Sequence, residues 1–152
     1  MPQRLNIFKD APAAAKAMVG VENALNDSGL EPDLLNLVKM RASQINGCAF
    51  CLHLHYTTAR KAGESDLRLL MLDGWRDSTL YTDRERAALA WTETLTLVAD
   101  RGAPDDVYNC VREVFSESET ANLSMAIGAI NLWNRVQIGS HATHPAEKPQ
   151  IA

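Results

Sequence analysis

Two cysteines and two histidines crowd one short stretch, Cys48-Ala49-Phe50-Cys51-Leu52-His53-Leu54-His55. On a helix turning about 100° per residue, Cys48 at 0° shares a face with Cys51 at about −60° and His55 at about −20°, whereas His53 at about 140° points elsewhere. Cys51 and His55 are an i, i+4 pair and therefore surface neighbours. An imidazole so placed can take the thiol proton, and the thiolate is the form that attacks peroxides and disulfides. Cys48 would sit in the first helical turn, where unpaired N–H groups and the helix dipole favour an anion. Cap physics alone would therefore favour Cys48 as the more acidic thiol. Oxidation of one sulfur to a sulfenic acid, followed by condensation with the other, would give a disulfide and water.

Other uses of a Cys-x-x-Cys pair are a buried inert pair and a metal site. Zinc asks for four ligands. Cys48, Cys51 and His55 supply three, and Cys110, His141 or His144 would have to come from far along the chain. A thioredoxin-like fold would place the pair after a strand in a βαβ unit, and this sequence offers no credible strand.

The elements around the pair read as helices. Asp10-Ala11-Pro12 starts one, with Ala14, Ala17, Met18, Val21 and Leu25 at helical spacing and Gly29 as its stop. Pro32 opens the next, with Leu34, Leu37, Val38 and Ile45 on one face, broken at Asn46-Gly47. A third runs from about Cys48 to Ala62, closed by Gly63, and a short fourth from about Ser65 to Leu72. Gly74 to Tyr81 reads as a loop. Thr82 and Glu85 form a capping box, which outvotes the strand-like alternation of Thr94-Leu95-Thr96-Leu97. A sixth helix starts at Ala103-Pro104-Asp105 and ends near Phe115, and a second capping box, Ser116 with Glu119, precedes a helix from Asn122 to about Ile138. That last helix is apolar on nearly all sides, which suits a core or a subunit interface. The tail, 141–152, reads as loose. The expectation is one all-α domain over 1–152, of six to seven helices.

Composition narrows the function classes. The chain has 152 residues, 46% hydrophobic and 22% charged, so it can build a core. Fifteen basic and 19 acidic residues give a net charge of −4, with no basic patch to suggest nucleic acid. No run of 18 apolar residues suggests a membrane span, and Met1-Pro2-Gln3-Arg4-Leu5-Asn6 has no apolar signal core. A cytoplasmic protein with no cofactor, metal, nucleic-acid or membrane partner is expected. Three cysteines are too few for a disulfide scaffold, so a close pair points to redox chemistry.

The run Met40-Arg41-Ala42-Ser43-Gln44-Ile45-Asn46-Gly47-Cys48-Ala49-Phe50-Cys51-Leu52-His53-Leu54-His55 closely resembles the signature of the AhpD-like alkylhydroperoxidases, in the carboxymuconolactone decarboxylase superfamily. Ala62-Gly63-Glu64, Thr82 to Glu93 and Ile130 to Arg135 agree, so the resemblance covers about residues 10–140. It implies a compact helical fold that assembles as homotrimers or homohexamers. It also implies thiol-dependent reduction of hydroperoxides, with Cys51 peroxidatic, Cys48 resolving and His55 as base. A lipoyl-bearing or thioredoxin-like protein is the implied reductant. Family members usually carry a glutamate in the proton relay twelve residues before the first cysteine, where this chain has Asn36. Asn cannot accept a proton at neutral pH. Glu31, Glu64, Glu85 and Glu93 are the candidate substitutes.

Arg41 falls on an apolar stripe and suits an ion pair with Glu93, which leaves both as second-layer candidates behind the thiols. Ser43, Gln44 and Asn46 suit a turn. Trp91 and Trp133 suit packing, and Cys110 a small buried hydrophobe. His53, His141 and His144 suit solvated positions. The function expected is a hydroperoxide reductase in antioxidant defence. A non-catalytic redox-sensing or metal-binding oligomer is the alternative from another class. A lactone decarboxylase is disfavoured, because those relatives lack the cysteine pair.

Overall fold

The computed structural model describes residues 2–145. In chain order the elements are α1 (Ile7–Asp10), α2 (Pro12–Asn26), α3 (Pro32–Asn46), α4 (Ala49–Lys61), α5 (Asp66–Met71), a 3-10 segment (Leu72–Asp77), α6 (Asp83–Thr96), α7 (Val98–Arg101), α8 (Asp105–Val114) and α9 (Glu117–Ser140). The described residues are therefore all helix and connection, with nine α-helices where six to seven were expected. The additions are the single-turn α1 and α7, too short to carry a periodic signal.

Local chemistry sets most boundaries. Pro12 and Pro32 stand in the first turns of α2 and α3, where a missing N–H costs nothing. Both capping boxes form: Thr82 with Glu85 opens α6, and Ser116 with Glu119 opens α9. The second box starts α9 at Glu117, five residues before the Asn122 read from the apolar pattern, because the first turn of the helix is polar. The piece 94–97 stays helical through Thr96. The expected loop over 74–81 instead begins in the 3-10 segment, which buries Trp75.

Helix α3 is the hub, packed by α4, α6 and α9. One core cluster joins Leu34, Leu35 and Val38 of α3 to Trp91 of α6, Val111 of α8 and Leu123 and Ile127 of α9. A second joins Leu37 and Met40 to Leu72, Trp75, Tyr81 and Leu89. A small third cluster holds Ala42, Cys48, Cys51 and Ile130. The thiol pair is thus part of the joint between α3, α4 and α9. Polar groups lock the same joint: Asn134 Nδ2 donates to Ser43 Oγ at 2.9 Å, and Asn46 Nδ2 donates to Asn131 and Asn134, each at 2.9 Å.

Among the described residues no helix is long and apolar enough to cross a membrane. Of the tail, 141–145 are described and 146–152 lie outside the described residues. His141 ends α9 in the left-handed region (φ 53°, ψ 47°), and the backbone of Arg4 donates to Ser140 O at 2.8 Å, tying the N-terminal segment to that end.

Candidate functional site

The corner between α3 and α4 positions the first cysteine. Gly47 takes φ 70°, ψ 33°, a left-handed conformation that a side chain would strain. Its N–H donates to Gln44 O at 3.2 Å, and the next N–H, of Cys48, donates to Ser43 O at 3.1 Å. These are the two hydrogen bonds of a Schellman motif. Cys48 is at once the residue that closes α3 and the N-cap of α4, where its Sγ accepts from the backbone N–H of Cys51 at 3.3 Å. Only Gly47 and Cys48 separate the helices, and Cys51 follows Cys48 by three residues, in the first turn of α4. They are joined as a disulfide with Cα atoms 5.4 Å apart. Both are almost fully buried, Cys48 at 1% and Cys51 at 2% exposure.

The two cysteines border different spaces. Cys51 and His55 line one cavity of about 270 Å³, walled by Phe8, Phe50, Leu54, Ile130 and Trp133, with Glu22 and Gln137 as its polar members. Phe8 stacks on Trp133 with ring centroids 6.2 Å apart. Trp133, expected only to pack, is half-buried and forms part of this wall. Cys48 lines a second, wider cavity of about 490 Å³, with Phe50, Gln137, Ile138 and the 141–144 segment. His53, half-buried, stacks on the exposed His144 with centroids 5.3 Å apart, on that side of α4. His141 also lines the Cys48 cavity.

His55 borders a third space with Asn26, Asn36, Lys39 and Thr58. Asn36, at the position where relatives carry glutamate, is thus beside the imidazole's cavity but brings no charge. Burial, with the Lys39 ammonium second, pushes the His55 pKa down to about 4, so the ring is neutral at pH 7 and less basic than a free imidazole.

The four glutamates nominated as substitutes are all engaged elsewhere. Glu31 pairs with Arg84, Glu64 and Glu85 pair with Arg68, and Glu93 pairs with Arg41 and Arg76. Arg41 Nε reaches Glu93 Oε1 at 2.9 Å, and Trp75 Nε1 donates to the same oxygen at 2.8 Å. Burial pushes the Glu93 carboxyl up, and the hydrogen bonds from Trp75, Arg76 and Arg41 more than offset it, holding it below its usual range. Neither Arg41 nor Glu93 lines a cavity at Cys51 or His55, so this pair ties α3 to α6 and the 3-10 segment rather than serving the thiols.

The carboxylate that does border the thiol and the imidazole is Glu22 of α2, which sequence reading missed. Its Oε2 meets Lys39 Nζ at 2.6 Å. A faint signal existed: Glu22 lies one turn after Met18 on the apolar face of α2, and Lys39 follows Leu37 and Val38 inside the buried run of α3.

Cys110 is exposed, not buried, because α8 turns Val107, Val111 and Val114 toward the core and leaves Cys110 on the other side. Among the described residues no group of three or more His, Cys, Asp or Glu side chains could hold a metal ion.

Residues 12–94 match the model of the carboxymuconolactone decarboxylase family. The chain belongs to the carboxymuconolactone decarboxylase family. The matched span takes in Glu22, Asn36, Lys39, both cysteines and His55, while α9 with Trp133 lies beyond it. An uncharacterized Bacillus subtilis protein, YdfG, is 38% identical over 138 residues, covering 91% of this chain and 94% of its own. A crystal structure from Agrobacterium tumefaciens, of the protein ATU0492, superposes with TM-score 0.93 at 43% identity over 96% of this chain and 100% of that one. That protein is described as of unknown function and as a candidate antioxidant defence protein AhpD. A peroxidase-related protein from Silicibacter shares the fold at TM-score 0.77 and 21% identity, over 86% of this chain and 70% of its own. The family member described here therefore has the AhpD-like all-helical fold and a cysteine pair able to form a disulfide.

Proposed function

We propose that this carboxymuconolactone decarboxylase family protein is a thiol-dependent hydroperoxide reductase acting in antioxidant defence in the cytoplasm. The observation that carries the reading is that Cys51 and His55 line one small, mostly apolar cavity while Cys48 is bonded to Cys51 from the other side. In the reduced protein, neutral His55 takes the Cys51 proton. The Cys51 thiolate attacks one peroxide oxygen, the O–O bond breaks, and the alkoxide leaves as an alcohol with the proton returned by His55. Cys51 is now a sulfenic acid. The Cys48 thiol displaces its hydroxyl, which leaves as water, and the disulfide forms. A dithiol reductant, lipoyl-bearing or thioredoxin-like, returns both cysteines to thiols.

The wider Cys48 cavity is the natural approach for that reductant. Attack on the Cys48 sulfur by the reductant's thiolate breaks the S–S bond and makes Cys51 the leaving thiolate, beside His55 and in the form that attacks the next peroxide.

Assembly as a homotrimer or homohexamer accompanies this reading. Met125, Leu132 and Ile138 of α9 and Leu54 of α4 are exposed at 58%, 41%, 43% and 47%, more apolar surface than these helices need to show water. The experiment for activity is steady-state consumption of an alkyl hydroperoxide with dihydrolipoamide as reductant. Turnover lost in Cys51→Ser supports the reading, and no turnover in the native protein with either dihydrolipoamide or thioredoxin overturns it. Sedimentation tests the assembly: a mass well above 16.7 kDa is expected, and a clean monomer at micromolar concentration refutes it.

A further inference from the structure

Lys39 is an unusual residue for the interior of a small helical domain. It is 7% exposed, on the hub helix, and its ammonium meets a single carboxylate, Glu22 on α2, at 2.6 Å. A lysine is rarely buried unless paired, and a buried pair often contributes little net stability, so the pair calls for another reason to be here.

Its position supplies one. His55 borders two spaces, one with Glu22 and Cys51, the other with Lys39 and Asn36. Their linings come from α1, α2, α3, α4 and α9, and the charged or titratable side chains among them are Glu22, Lys39, Cys51 and His55 itself. The described structure gives His55 no side-chain hydrogen bond to a carboxylate, and position 36 offers an uncharged amide. Among the described residues that line these two spaces, the fixed charges are the two members of the ion pair.

We propose that the Glu22–Lys39 ion pair sets the basicity of His55, Lys39 lowering it and Glu22 opposing that effect. Lys39 disfavours the imidazolium and so lowers the ring's basicity. Glu22, on the Cys51 side, balances the charge once the proton has arrived. The direction agrees with the depressed His55 titration, in which the Lys39 charge is the second cause after burial. Both are positioning residues, since neither exchanges atoms with a peroxide. The assignment rests on the reading of His55 as the thiol's base.

The test reads His55 directly and needs no substrate. In the oxidised full-length protein, the His55 ring resonance is identified by its loss in His55→Ala, and its midpoint is followed by NMR. In the native protein its midpoint is expected well below the usual imidazole value of 6.5. Lys39→Met should raise the midpoint by roughly one unit, a tenfold change in protonation. Glu22→Gln, which leaves the Lys39 charge uncompensated, should lower it. Because that variant strands a buried cation and can fail to fold, Glu22→Gln/Lys39→Met serves beside it, with a midpoint raised by less than in Lys39→Met. A packing role alone moves none of these midpoints, and an unchanged His55 midpoint in Lys39→Met overturns the proposal. Peroxide consumption by the native protein is measured separately. Its absence would sink the proposed activity while the titrations still decide on the ion pair.

Discussion

His55 stands one helical turn after Cys51 and borders the same cavity, whereas His53, only two residues away, stacks on His144 beside the Cys48 cavity. If the proton of Cys51 passes to His55, His55→Ala should slow peroxide reduction by about 10²–10⁴-fold and raise the pH at which the thiolate forms. His53→Ala should change little. Iodoacetamide alkylation of the reduced protein across pH, alongside peroxide turnover, checks both. A crippled His53→Ala enzyme beside a normal His55→Ala one would reverse the assignment.

The different cavities that Cys48 and Cys51 line yield a chemical test of their roles. With Cys48→Ser there is no resolving thiol, so peroxide should leave a sulfenic acid on Cys51, trapped by dimedone and located by peptide mass. Cys51→Ser should give no such adduct at Cys48. In the native protein one equivalent of peroxide should give the Cys48–Cys51 disulfide with Cys110 free. Cys110 is exposed on α8, and a dominant disulfide through it would count against the scheme.

The local parts of this architecture were legible in the sequence. The shared face of Cys51 and His55 follows from helical spacing, and both capping boxes declare themselves within four residues. What escaped was tertiary. Glu22 and Lys39 are 17 positions apart on different helices, and nothing short-range couples them. Trp75 sits in a 3-10 segment whose glycine reads as a loop, and its burial depends on α3 and α6 closing over it. Cys110 looked like core because cysteine usually is, but its place on α8 is decided by the valines beside it.

Gly47 should be hard to replace. Its left-handed backbone makes the Schellman turn that delivers Cys48 to the cap of α4, and no atom crowds the position a side chain would occupy. Gly47→Ala should therefore cost about 1–2 kcal/mol through backbone strain alone. Urea unfolding measures that loss. Relief of the strain by opening the turn would also move Cys48, so the disulfide of the variant should be easier to reduce.

Glu93 should matter for stability and not for the thiols. It is buried and satisfies Arg41, Arg76 and Trp75 together. Glu93→Ala strands the Arg41 guanidinium, whose side chain is 12% exposed, and should destabilise the fold by about 3–5 kcal/mol. The His55 midpoint should stay where it is, since this network lines neither of the cavities on His55. A shift there with little loss of stability would mean that the network reaches the site.

The depressed titration of His55 also makes stability depend on pH. Its folded-state pKa is about 4 against 6.5 for a free imidazole, with burial as the larger cause and Lys39 as the smaller. The unfolded chain therefore binds a proton more readily than the folded one between these values. Stability from this group is complete above about pH 6.5, falls as pH drops through the window, and is fully lost below about pH 4. The whole span is worth at most about 3 kcal/mol, and less because the ring is only half-buried. Other groups titrate in the same window, so the comparison that isolates His55 is with His55→Gln. Urea denaturation of the oxidised protein at pH 7 and pH 5 should show the native protein losing more stability on acidification than the variant. Equal losses in the two would mean that the imidazole is not held neutral in the folded state.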